Sequence, residues 1–389
     1  MLAINIDDVI NVINSIKAYL IGFGVVAVLL ILAMILCGKL SKSKKYLVRF
    51  NSALGLVLAL GITVNLILIG PMNSMVTLAT GGGKVSEENV AASTELCEDI
   101  AEEGIVLLDN DGTLPLAKNS KLNVFGWAST NPCYGGTGSG ALSDAYPTVS
   151  LLDGLTNAGF ELNTELSDFY TDYRADRPEV GMWAQDWTLP EPEAAQYSDD
   201  LLENAKAFSD TAMVVITRVG GEGADLPTDV SQVTYDAGHS YNDFEAGEHY
   251  LQLSKTEKDM VDLVCKNFDN VVVVYNGANA MELGWVKDYS QIKSVIWCAG
   301  TGQSGFDALG SILCGDVNPS GRSIDTFVYD LTKTPTWNNF GNFIYDNMDE
   351  FAATSFGAET IPAFVNYVEG IYVGYKFYET AAVEGLIDY

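Results

Sequence analysis

Val214-Val-Ile-Thr-Arg-Val-Gly-Gly-Glu-Gly-Ala-Asp225 is an apolar, β-branched run that stops abruptly in glycines around one carboxylate. Met213–Ile216 reads as a strand buried on both faces, because a half-buried strand would alternate polar with apolar residues. Glu222 then sits just beyond the strand's C-terminal end. Open α/β sheets place their ligand sites at that edge.

Working outward from this strand, apolar spacing predicts helices over 88–103, 150–158, 199–209, 255–267 and 304–313. Strands are expected at 121–125, 212–217, 271–275 and 294–298, with a further one at 325–328. Strands alternating with helices of this length imply an α/β fold, a mostly parallel sheet sandwiched between helices. Four strand ends run into glycine-bearing turns: Phe125-Gly-Trp, Val219-Gly-Gly-Glu-Gly, Tyr275-Asn-Gly-Ala-Asn and Cys298-Ala-Gly-Thr-Gly. In a parallel sheet these turns line one crevice.

The N-terminus has a different character. Residues 18–38 and 53–70 are uncharged and strongly apolar, each long enough to cross hydrocarbon at about 1.5 Å per residue. Between them Lys39, Lys42, Lys44, Lys45 and Arg49 crowd one short loop, whereas Asp7 and Asp8 flank the first segment. The positive-inside rule puts that loop in the cytoplasm and both chain ends outside. A cleaved signal peptide is the alternative, with residues 77–83 as a small-residue cleavage region; two spans in tandem favour a transmembrane hairpin. Neither span holds an ionisable side chain, so no transport pathway is indicated. The expected organisation is a two-helix membrane anchor over residues 1–80, a linker over 81–88, and the α/β sandwich over 89–389.

The chain's 389 residues carry a formal charge of −30, and the imbalance lies beyond the anchor. Residues 87–389 hold 14 basic side chains against 49 acidic ones, a formal charge of −35. Such a field repels phosphate backbones and excludes nucleic acid as a partner; a neutral ligand such as a sugar is not repelled. The six cysteines fit neither a zinc motif nor a redox pair, and are expected as mostly free, buried thiols. The two histidines, His239 and His249, share one polar stretch and are expected as solvated loop residues. They advertise neither a metal site nor a triad.

Two features could carry chemistry. Gly135-Gly-Thr-Gly-Ser-Gly140 could cradle an anion on its N–H groups. It lacks the Lys-Ser/Thr ending of a P-loop and a regular dinucleotide fingerprint, so a structural loop close to a ligand or neighbouring domain is the preferred reading. Glu222, in its glycine turn, can project into a crevice, where partial desolvation would let it hold a proton near neutrality and act as a general acid. A solvated loop glutamate fits the same spacing. Asp225, Asp229, Asp236, Asp243, Glu245 and Glu248 extend the acidic loop, and any of them could be the acid.

Glu103-Gly-Ile-Val-Leu-Leu-Asp-Asn-Asp-Gly-Thr-Leu-Pro-Leu116, Asn123-Val-Phe-Gly126, the 135–140 loop, Gly221-Glu-Gly-Ala-Asp225, Asn318-Pro-Ser-Gly-Arg322 and Glu369-Gly-Ile-Tyr-Val-Gly-Tyr-Lys-Phe-Tyr-Glu-Thr380 follow one another in this order. They resemble the successive motifs of the C-terminal α/β sandwich domain of glycoside hydrolase family 3, across nearly all of residues 90–389. The resemblance implies a retaining, exo-acting β-glycosidase of β-glucosidase type. Such an enzyme acts on terminal β-linked sugars of oligosaccharides or glycosides and needs no metal or other cofactor. It assigns the acid/base to Glu222 and places Asp225, Gly136 and Ser139 on the substrate side. The family's aspartate nucleophile comes from a separate (β/α)8 barrel domain that nothing in this sequence resembles. In permuted members the sandwich precedes the barrel, an order that an anchor followed at once by the sandwich would fit; the chain is therefore expected to be an incomplete part of such an enzyme. Residues 226–250 lack the arginine that often follows the glutamate motif, which bears on substrate preference. Trp127, Tyr134, Trp183 and Trp187 could stack on a sugar or pack against the barrel. A non-catalytic, membrane-tethered module that binds glycans or a partner is the second reading.

Overall fold

The computed structural model describes residues 6–80, 85–143, 145–173, 187–222, 225–233, 243–340, 343–355 and 358–387. The chain falls into two compact units, Met1–Ser86 with Gly341–Asn366, and Glu87–Phe340 with Tyr367–Tyr389.

In the first unit the apolar segments form α1 (Ile6–Leu36) and α2 (Lys42–Ile69), followed by α3 (Asn73–Thr80). Two stretches, Ile13–Lys39 and Lys42–Ile69, are long and apolar enough to cross a membrane, with mean hydropathies of 3.1 and 2.4. Their side chains point outward: Ile21, Leu36 and Val57 are all exposed. Leu30 of α1 lies against Gly55 of α2, where the missing side chain lets the helices approach.

The second unit is built on a six-stranded sheet. Its elements in chain order are α4 (Glu87–Gly104), β1 (Val106–Asn110), β2 (Lys121–Phe125), α5 (Leu151–Asn157), β3 (Glu161–Leu162), α6 (Thr164–Tyr173), α7 (Asp199–Phe208), β4 (Thr211–Arg218), α8 (Lys255–Asn267), β5 (Asn270–Gly277), β6 (Ile292–Cys298) and α9 (Phe306–Cys314). The strand order is β1-β6-β5-β4-β2-β3, parallel throughout except for β1, which runs antiparallel to β6 at the edge.

The uninterrupted apolar character of the central strands has a direct cause. In β4, Ala212, Val214 and Ile216 face one core and Met213 and Val215 the other; in β5, Val271 and Val273 oppose Val272 and Val274 in the same way. The first core is closed by α6, α7 and α8 through Leu166, Leu201, Ala205, Met260 and Val264. The second is closed by α5 and α9 through Leu151, Leu155, Phe306 and Leu309, with Ala101 of α4 packed against it. Serine caps start three of these helices: Ser150, Ser198 and Ser254 each accept from a backbone N–H in the first turn.

Two expectations are corrected. Residues 325–328 form no strand; Phe327 instead packs edge-on against Trp297 with ring centroids 5.3 Å apart. A strand the spacing did not announce, β1, forms where only Val106 is fully buried, so its half-buried edge position leaves little pattern to read. The unit ends in α10 (Tyr375–Val383), and the first unit carries a short antiparallel pair, β7 (Ala353–Ser355) and β8 (Ala358–Thr360).

Candidate active site

From β2 the chain moves outward to β3, then returns to β4 and proceeds the other way to β5 and β6. The strand order therefore reverses between β2 and β4, and open α/β sheets form their crevice beyond the carboxyl ends of such a pair. The segment leaving β2 heads for α5 on one face, and the segment leaving β4 heads for α8 on the opposite face. Glu222 stands four residues past Arg218, the last residue of β4, at this reversal.

Register refines the expected row of four turns. Arg218 pairs with Gly277 and Asn276 with Cys298, so β4, β5 and β6 end nearly level, whereas Phe125 of β2 pairs with Val214 and stops short. The turn after β2 is consequently buried. Trp127 is only 1% exposed and is core, not a platform for a sugar. Trp187 packs edge-on against Tyr250 at 5.1 Å and Tyr134 against Phe306 at 5.4 Å. Trp183 lies outside the described residues.

The glycine loop and the glutamate turn meet. The Ser139 N–H donates to Glu222 Oε2 at 2.8 Å, the Ser139 hydroxyl donates to the same oxygen, and the Thr137 hydroxyl donates to the Glu222 carbonyl at 3.2 Å. The approach requires glycine on both sides: a Cβ on Gly221 would lie 2.3 Å from Thr137 N, and one on Gly138, at φ +62°, would lie 2.6 Å from Glu222 Cβ. Gly136 backs onto the Gly220 carbonyl. The loop does cradle an anion, and the anion is the chain's own carboxylate. Glu222, Ser139 and Gly136 are thus brought together. Asp225 lies exposed three residues on, beyond two residues outside the described set.

The expectation of a desolvated, proton-holding Glu222 does not hold for this structure. Glu222 is exposed, and the hydroxyl and N–H of Ser139 stabilise its ionised form, drawing its pKa below the ordinary glutamate value. Several other acids have structural duties. Asp229 accepts from the Ser231 N–H at 3.1 Å and its hydroxyl at 2.5 Å, Asp243 accepts from Thr256, and Glu248 accepts from the Glu245 N–H at 2.8 Å. Asp236 and His239 lie outside the described residues. His249 is buried rather than solvated: the Leu251 N–H donates to Nδ1 at 3.2 Å, which leaves Nε2 to donate to Glu282 at 3.0 Å.

Sequence reasoning also missed two buried groups. Arg218, fully enclosed, forms a bidentate pair with Glu257 at 2.8 and 2.7 Å and donates to the carbonyls of Thr217, Tyr250 and Gln252. Glu191, also enclosed, accepts from the Trp127 N–H at 2.8 Å and from the Tyr197 hydroxyl, and burial pushes its pKa up to about 8. Arg218 was signalled only by a charge adjoining an apolar run, and Glu191 stands between Pro190 and Pro192. All six cysteines are free, five of them buried and Cys97 half-buried. Among the described residues no three His, Cys, Asp or Glu side chains are grouped to hold a metal ion.

A doubly wound sheet with a carboxylate held on glycine turns beyond its switch point defines an α/β sandwich domain. Residues 105–375 match the glycosyl hydrolase family 3 C-terminal domain, and the chain belongs to that family. It is 30% identical over 291 residues to a β-glucosidase of Ruminococcus albus, covering 74% of this chain and 26% of the relative. It is 33% identical over 308 residues to β-glucosidase A of Butyrivibrio fibrisolvens, covering 75% and 34%. The structure of β-glucosidase 3B from Thermotoga neapolitana in complex with glycerol is similar at a TM-score of 0.57 and 26% identity, over 76% of this chain and 36% of that one. The chain thus spans about a quarter to a third of the length of these curated relatives.

Proposed function

We propose that this chain supplies the acid/base half of a retaining, exo-acting β-glycosidase site of β-glucosidase type, with Glu222 as the acid/base. The nucleophile then comes from a (β/α)8 barrel outside these 389 residues. One observation carries this reading: the Glu222 carboxylate stands at the switch-point edge, held through one oxygen by Ser139. A retaining mechanism needs two carboxyl groups about 5–5.5 Å apart, one to attack the anomeric carbon and one to protonate the departing oxygen and later deprotonate water. Glu222 in its present surroundings is ionised, the form needed for that second step. A docked barrel and a bound sugar would remove water from it, and the nucleophile's negative charge would further favour its protonated form, as the first step requires. Residues 1–80 anchor this half-site in the membrane with the sandwich, 89–389, outside the cell. That arrangement is supported by the two apolar helices and the cations confined between them.

The test uses the chain joined to a family barrel, with aryl β-glucosides as substrates. Glu222→Gln should slow hydrolysis of poor leaving groups about 10²–10⁴-fold, the usual worth of general acid/base assistance, while activated phenolates should suffer much less. Azide should partly rescue Glu222→Gly by attacking the glycosyl intermediate without base help. Equal losses for all leaving groups and no rescue would transfer the role to another acid of the loop. Binding of glycosides without turnover by the completed protein would favour the non-catalytic module.

A further inference from the structure

Asn276, the penultimate residue of β5, is wholly buried and binds both backbone polar groups of one residue on another segment. The Cys133 N–H donates to Asn276 Oδ1 at 2.5 Å, and Asn276 Nδ2 donates back to the Cys133 carbonyl at 3.1 Å and to the Cys298 carbonyl at 3.0 Å. The Thr217 hydroxyl, from β4, donates to the Asn276 carbonyl at 2.8 Å and to Oδ1 at 3.2 Å. This network fixes the amide orientation, since the flipped form would set its NH2 against the Cys133 N–H. It also restricts the residue type. Aspartate would turn an acceptor toward two carbonyls, and leucine would leave several buried polar groups unsatisfied.

Cys133 is the base of the loop that reaches Glu222. From there the chain passes Tyr134, whose carbonyl accepts from the Gly302 N–H at 2.7 Å, and closes a tight turn in which the Gly136 N–H donates to the Gly140 carbonyl at 3.1 Å. Ser139 lies within that turn. We propose that Asn276 is a positioning residue of the site: by clamping Cys133 to the ends of β4, β5 and β6, it fixes the loop on which Ser139 holds the Glu222 carboxylate. The functional meaning of this placement rests on the acid/base reading, but the placement itself does not. Asn276 does not touch Glu222; it acts through the loop that runs from Cys133 to Ser139.

The experiment follows the Glu222 carboxyl carbon by NMR in the full chain, 13C-labelled at glutamate, with its signal assigned by its loss in Glu222→Gln. The wild-type group should titrate below the ordinary glutamate range, and Ser139→Ala should bring it up into that range. Asn276→Ala should do the same although Ser139 is intact, and Thr217→Val, which removes only a supporting hydroxyl, should place the midpoint between wild type and Ser139→Ala. A folded Asn276→Ala chain whose Glu222 titrates as in wild type would overturn the proposal. Should that variant not fold, an unmoved midpoint in Thr217→Val would overturn it instead. A merely structural asparagine would lower the urea midpoint and leave the titration alone. Failure of azide rescue in the completed enzyme would count against the acid/base reading without altering any of these midpoints.

Discussion

Glu191 sits wholly inside the protein, its two oxygens taken by the Trp127 N–H and the Tyr197 hydroxyl, with the Tyr170 hydroxyl 2.7 Å behind Tyr197. Burial is the main influence on its proton; the two hydrogen bonds oppose it and only partly succeed, leaving the pKa near 8 against 4.5 unperturbed. The folded chain therefore keeps this proton up to about pH 8, whereas the unfolded chain releases it near 4.5. Between those limits the folded state binds more protons, so the stability from this group is full below about pH 4.5 and is lost as pH rises through 8. Glu191→Gln keeps an acceptor for Trp127 and cannot ionise. Urea unfolding followed by tryptophan fluorescence should show the wild type losing on the order of a few kcal/mol relative to the variant between pH 5 and 8.5. Parallel pH profiles for the two proteins would mean that Glu191 is ionised in the fold. Glu222 shows the opposite influence of surroundings, since an exposed position and two donors from Ser139 favour its charged form.

The end of β4 is held by an ion pair rather than by apolar packing. Arg218 pairs with Glu257 in the first turn of α8, and Glu257 also accepts from the Ser254 N–H at 2.9 Å, so one carboxylate both caps the helix and neutralises the strand's last side chain. Removing one partner of such a pair strands a buried charge and costs about 3–5 kcal/mol. Arg218→Met should therefore lower the unfolding free energy by about that much, and adding Glu257→Gln, which keeps the cap, should recover part of it. Urea denaturation of the singles and the double checks this; a double variant no better than Arg218→Met would place the loss in the freed carbonyls of Tyr250 and Gln252. The elements at this junction were legible in sequence to different degrees. β2 and α8 fall on their expected residues, because four consecutive buried strand positions and a full amphipathic helix are each a strong local pattern. β1 left little trace because an edge strand buries few side chains, and Thr-Phe-Val at 326–328 imitates a strand while Phe327 packs sideways on Trp297. Glu222 was legible because a carboxylate among glycines after a buried strand is a local pattern. Ser139 was placed near the site only by the family resemblance, and Asn276 not at all, since their contacts join residues 83 and 143 positions apart and spacing carries no record of such pairs.

At the scale of the whole molecule two unlike parts share one chain: helices whose apolar side chains face outward, and an α/β unit from a region with a formal charge of −35. The α/β unit also leaves apolar side chains bare. Tyr367, Val368, Ile371, Tyr372 and Tyr375 are each more than 60% exposed, a concentration typical of a covered surface. Residues 87–389 made alone should therefore associate with rising concentration in light scattering and bind a hydrophobic dye; a strictly monomeric, dye-silent protein would remove the case for a docking partner. The proposed orientation across the membrane rests on charge. Five cations lie between Lys39 and Arg49, and moving them across the bilayer is what the positive-inside rule opposes. Ser43, in the first turn of α2, should then be cytoplasmic and Ser86, after α3, external; both are exposed, so a cysteine at either position would be accessible to reagent on its own side. Cys97 is half-buried and the other five thiols are buried, so Cys97→Ser supplies a quiet background. In intact cells an impermeant maleimide should label Ser86→Cys and spare Ser43→Cys until the membrane is opened. Labelling of Ser43→Cys before opening would invert the topology and put the sandwich in the cytoplasm.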